Sequence, residues 1–212
     1  MNKFVKVLVG IAALVMIYLT VMSILTPVRF DKEQKARETL IQKKLKSIAS
    51  LQQAYEGLFG KYADASHLRW FLQEGKIYYI NAEGEYTDEM RDKGLSEREA
   101  ARQGLLRRDT VWVPVADTLL VGTGITAENL FDVPGVAGKT ITVETGSITQ
   151  EVGNDTIPVP VYRAFVKYED YLGDLDPVIL KQRIKAANER VKGFPGLVIG
   201  SLEEVKNTGN WE

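Results

Sequence analysis

From Val7 to Leu25 the chain reads VLVGIAALVMIYLTVMSIL, without one charged residue. At about 1.5 Å per residue, a helix near 20 residues long crosses a bilayer hydrocarbon core of roughly 30 Å. The run therefore predicts a retained transmembrane helix. It exceeds the usual apolar core of a signal peptide, and no small-residue A-x-A site follows it. Pro27 lacks a backbone donor and disfavours helix at Thr26, which predicts a break or kink at the membrane surface. Lys3 and Lys6 precede the run, while Arg29, Lys32, Lys35, Arg37, Lys43, Lys44 and Lys46 follow it closely. Basic residues counted alone would hold the downstream side in the cytoplasm. A short basic leader is, however, the arrangement of a signal-anchor. The expected topology is a single pass through a bacterial-type inner membrane, N-terminus inside, with the soluble domain extracytoplasmic.

Beyond the run, from Asp31 to Tyr62, there is no Pro and only two Gly. Apolar residues recur at Ile41, Leu45, Ile48, Leu51, Tyr55, Leu58 and Tyr62, in steps of three and four that define one helical stripe. Such a stripe packs either on the face of its own domain or on a partner helix, and it is the candidate protein-interaction surface, for other proteins or for a second copy. The basic residues between Arg29 and Lys46 suit a position near anionic headgroups or a solvated face.

An apolar span leading through Pro27 into KKLKSIASLQQAYEGLFGKYA resembles the type IV pilins and the pseudopilins of type II secretion systems. The matching positions are Leu51, Gln52, Ala54, Tyr55, Gly60 and Tyr62, and the resemblance covers about residues 4–65. It implies a structural subunit of a cell-envelope assembly. The chain departs from that family at the processing site: Lys3, not Gly, precedes Phe4, and Leu8 stands where the family carries a Glu five residues into the processed chain. The resemblance therefore implies an unprocessed relative.

Further along, Ser66 is placed to cap a short helix, HLRWFLQEG, with His67, Trp70 and Phe71 folded back on the long helix and Gly75 as its stop. KIYYINAEG, Lys76 to Gly84, reads as a strand. Ser96 and Glu99 form a capping box for a short helix within the charged stretch 85–108. DTVWVPVADTLL reads as a strand that Pro114 confines to an edge or brings to an early end, and residues 119–138 read as loop. KTITVETGSITQEV and TIPVPVYRAFVKYEDYL alternate with period two around a turn at Gly153, Asn154 and Asp155, an antiparallel hairpin in which Pro158 and Pro160 suit an open edge. Asp176 and Pro177 open a helix whose face is Ile179, Ile184, Ala187 and Val191, with Gly193 as its stop. Leu197 to Ile199 forms a last strand, and Trp211 is left equally open between docking and exposure.

The chain has 45% hydrophobic and 26% charged residues and a net charge of −1, so no overall field draws it to nucleic acid. Charge is unevenly spread: residues 29–62 carry eight Lys or Arg against four Asp or Glu, and residues 63–212 carry seventeen against twenty-four. A basic stalk under an acidic head favours adhesion of the stalk to membrane or partner. With no Cys and a single His, His67, there is no thiol chemistry and no two-histidine metal site. The glycines at 122 and 124 lack the rest of a dinucleotide or phosphate motif. The acidic residues Glu169, Asp170, Asp174 and Asp176 could ligate calcium but lack EF-hand spacing. No catalytic, cofactor or metal residues are assigned.

The expected fold class is α+β: a transmembrane helix continuing into a long amphipathic helix, then a small, mostly antiparallel sheet domain with a C-terminal helix. The expected domains are an anchor over 1–27, the amphipathic helix over 28–64 and a head over 65–212. The expected function is that of a non-enzymatic structural subunit of a pilin-like or secretion-type envelope assembly. The alternatives are an inner-membrane scaffold of such a machine and a membrane-tethered ligand-binding or enzymatic domain.

Overall fold

One helix, α1 (Lys3–Phe59), carries the chain from the apolar run into the head. The computed structural model describes residues 3–84, 86–105, 107–152, 155–191 and 193–212. After α1 come α2 (Ala65–Glu74), β1 (Lys76–Glu83), α3 (Asp88–Asp92), α4 (Glu97–Arg102), β2 (Arg107–Pro114) and α5 (Ala116–Leu119). The chain then forms β3 (Thr142–Val152), β4 (Asp155–Lys167), α6 (Tyr168–Leu172), α7 (Pro177–Asn188) and β5 (Gly196–Gly200). The coarse expectation of a long N-terminal helix, a small antiparallel sheet and later helices is met. The break at Pro27 is not: Pro27 lies inside α1. Its ring denies the Ser23 carbonyl a helical partner, yet helix is required on both sides of it. The helix runs on into the head, whose first buried side chain, Phe30, follows three residues later.

Two compact units make up the chain, Met1–Ala49 with Phe131–Glu212, and Ser50–Leu130. In the first, β3, β4 and β5 form an antiparallel sheet in that order, with Thr142 opposite Phe165 and Phe165 opposite Val198. Pro158 and Pro160 fall where β4 pairs with β3 alone, so their missing donors interrupt no second ladder. The hairpin turn expected at Gly153 and Asn154 lies outside the described residues. The core combines Phe30, Ile41, Leu45 and Ile48 of α1 with Ala164, Val166, Leu197 and Ile199 of the sheet. Asp176 caps α7 by accepting from the amides of Val178 and Ile179, with Pro177 in its first turn. The expected apolar face of α7 is shorter than its pattern: the helix ends at Asn188, only Ala187 is buried, and Val191 is almost fully exposed.

In the second unit, Gly60 (φ 68°) closes α1, its N–H donating to the Glu56 carbonyl at 2.7 Å. The cap of α2 is Asp64, not Ser66: the Asp64 carboxylate accepts from the His67 amide, and Ser66 in the first turn donates its hydroxyl to that same carboxylate. A carboxylate at the cap position meets both the free N–H groups and the positive helix end, which a hydroxyl two residues further in cannot do. Of the aromatic trio expected to fold back, only Phe71 does, packing edge-on against Tyr55 and Phe59 beside buried Leu68 and Leu72; His67 and Trp70 are exposed. β1 and β2 form a separate two-stranded antiparallel ribbon, Tyr78 opposite Trp112. The Ser96–Glu99 capping box is present at α4.

Candidate interaction site

The long helix presents three different environments along its length. In the first, every large apolar side chain from Val7 to Leu25 is exposed, on all faces of the helix. Thr20 donates its hydroxyl to the Met16 carbonyl at 2.8 Å, so this polar side chain adds no unpaired donor to the apolar collar. This is one helix long and apolar enough to cross a membrane.

In the second, the stripe named from the sequence turns inward. Ile41, Leu45, Ile48 and Leu51 are completely buried and Tyr55 nearly so, while Leu58 and Tyr62 are half-buried. Of its two readings, the burial is that of a face covered by the chain itself. Between these apolar residues sit two buried polar ones. The Gln52 carboxamide closes a two-bond clasp with Ala63, Nε2 donating to the carbonyl at 2.6 Å and Oε1 accepting from the amide at 2.8 Å. Lys44 donates to the Asp132 carbonyl at 2.8 Å. Burial holds its ammonium below the ordinary lysine range, partly offset by the Asp132 charge.

In the third, the basic residues of the stalk meet the acidic head of their own unit. Arg37 makes a bidentate pair with Asp174 at 2.6 and 2.7 Å and also donates to the Tyr171 carbonyl. Its hydrogen bonds hold the Asp174 carboxyl below the usual carboxylate range. Lys46 likewise reaches Glu212 at 2.9 Å, while in the opposite sense Arg183 of the head reaches Asp31 of α1 at 2.5 Å. The charge asymmetry in the sequence is therefore spent in part within the molecule. The acidic cluster is dispersed by the same contacts: Asp174 goes to Arg37, Asp170 to Lys139, and Asp176 to the α7 cap. Among the described residues no group of three or more His, Cys, Asp or Glu is arranged to hold a metal ion.

A polar face of α1, not singled out from the sequence, lines a cleft of about 420 Å³ within the first unit. Gln34, Glu38 and Gln42 contribute from α1, Arg183 and Arg190 from α7 and its end, and Tyr168, Phe194 and Trp211 add aromatic surface. Glu38 Oε1 accepts from Gln34 at 2.7 Å and from the Tyr171 hydroxyl at 2.9 Å. Burial, then the Glu38 charge, raises the Tyr171 phenol far above its ordinary range, so it stays a donor. The sequence signal for this face is the spacing of four between Gln34, Glu38 and Gln42, a polar row one step around from the apolar stripe. Trp211 is docked rather than free: it is half-buried, its ring against Gly209.

No family model, curated protein or solved structure matches this chain.

Proposed function

We propose that this protein is a non-enzymatic structural subunit of a pilin-like, secretion-type envelope assembly, held in an inner membrane by α1 with its head on the extracytoplasmic side. One observation carries the reading. A single unbroken helix is apolar and uncovered on every face in its first half, and in its second half supplies core residues to an antiparallel-sheet head. An apolar collar of that length is stable only against lipid or against other apolar helices, and a helix shared between collar and head passes any packing in the membrane directly to the head. The residues of the family resemblance have physical work in this fold: Gln52 ties α1 to Ala63, Tyr55 stacks with Phe59 and Phe71, and Gly60 ends the helix. Lys3 and Leu8 argue for a subunit that keeps its leader.

The test is isolation from the native membrane in mild detergent, with mass spectrometry of the N-terminus and of co-purifying chains. The expected result is an intact N-terminus in an oligomer or a defined multi-protein complex. A lone monomer across detergents and crosslinkers would overturn the assembly reading and favour a tethered binding domain.

A further inference from the structure

We infer that the cleft between α1, α7 and residues 208–212 binds a neutral saccharide of one or two rings. This stands independently of the assembly reading, because every residue concerned lies in one compact unit of the head. The cleft volume of about 420 Å³ falls within the range of small-ligand sites, roughly 300–1,000 Å³.

Three features select the ligand class. The first is charge. Glu38 faces Arg183 and Arg190, and Arg183 is already paired with Asp31 outside the lining, which leaves Glu38 against Arg190 and no net charge asking for an ionic ligand. The second is the set of unused hydrogen-bonding groups. Among the described residues Glu38 Oε2, the Gln42 carboxamide, the Tyr168 hydroxyl and the Arg190 guanidinium have no partner within the protein. They comprise donors and acceptors together, which is what hydroxyl groups, each able to donate and accept, satisfy. The third is the aromatic surface of Tyr168, Phe194 and Trp211, whose electron-rich faces suit the C–H face of a pyranose ring.

The floor is held in place beforehand. Asn210 accepts from the Val198 amide and donates to the Gly196 carbonyl, tying residues 208–212 to β5. The Trp211 ring lies so close to Gly209 that a Cβ there would come within 2.4 Å of it, so glycine at 209 is what admits the indole in this position.

The experiment uses the full chain in a sugar-free detergent. Trp70 and Trp112, both exposed, are replaced by Phe so that Trp211 is the only remaining reporter. Maltose, cellobiose and N,N′-diacetylchitobiose are titrated against its emission. At least one is expected to give a saturable change with Kd of about 0.1–10 mM, weakened about tenfold by Gln42→Ala and by Arg190→Ala. Circular dichroism of both variants should match the parent, since each site is on the surface. The inference is overturned by no saturation with any of the three up to about 50 mM. Binding that both variants leave unaltered would overturn it equally.

Discussion

Single side chains decide whether the end of α1 holds. Gln52 is completely buried and both ends of its carboxamide are occupied by the Ala63 backbone, itself buried. Gln52→Leu keeps the volume but leaves an amide and a carbonyl unpaired in the interior, and the expected loss is about 2–4 kcal/mol, read as a fall in thermal midpoint. Asp64 is the second such position. Hydrogen bonds from the His67 amide, then Ser66, hold its carboxyl below its ordinary range. A folded-state pKa below the unfolded one contributes stability that is complete above the unfolded pKa of about 4 and is lost as pH falls from there towards the folded value. Asp64→Asn keeps a capping oxygen but removes the ionisation, so its stability below pH 4 should decline less than that of the parent. Parallel acid-unfolding curves check this, and identical acid limbs would count against it. Asp64 was hidden from sequence reading because Ser66 is an equally good capping residue type, and only the backbone conformation at 64 distinguishes them.

At the scale of elements, α1 has an inward and an outward side in its head half. Leu45 is completely buried and Leu40 is about half exposed. Leu45→Glu therefore places an uncompensated charge in the core and should cost more than about 3 kcal/mol, enough to unfold the first unit. Leu40→Glu should change stability by less than about 0.5 kcal/mol. If the envelope assembly uses α1 outside the membrane, Leu40→Glu is then the variant that weakens crosslinking to partners without harming the fold. Circular dichroism melts paired with crosslinking in native membranes separate the two effects. The period of the stripe was legible because a helix repeats its faces every three to four residues whatever it packs against. What covers that stripe was not, because apolar periodicity has no direction beyond the element that carries it. The ends of α7 show the same limit: Val191 continues its pattern, yet the helix stops at Asn188 and leaves the side chain in solvent.

For the whole molecule, the prediction concerns solubility. Chain beginning at Val28 retains Phe30 and all later core residues and loses only the uncovered collar. It should be recovered in the soluble fraction with an unchanged head spectrum, whereas the full chain should stay with membranes through alkaline extraction. Full-length chain released by alkali would speak against a spanning helix. The sequence alone determined the apolar run, the helical period after it, the β-hairpin, the capping box at Ser96 and the helix opening at Asp176. Each of these rests on neighbours within a few residues, where backbone sterics and side-chain spacing act directly. Only the tertiary structure decided that Pro27 sits in an unbroken helix, that the basic stalk is clasped by Asp174 and Glu212, and that Gln34, Glu38 and Gln42 share a cleft with Arg190 and Trp211. The last two depend on residues well over a hundred positions apart meeting across a folded core, and a charge or an amide gives no sign in sequence of the distant group it will face.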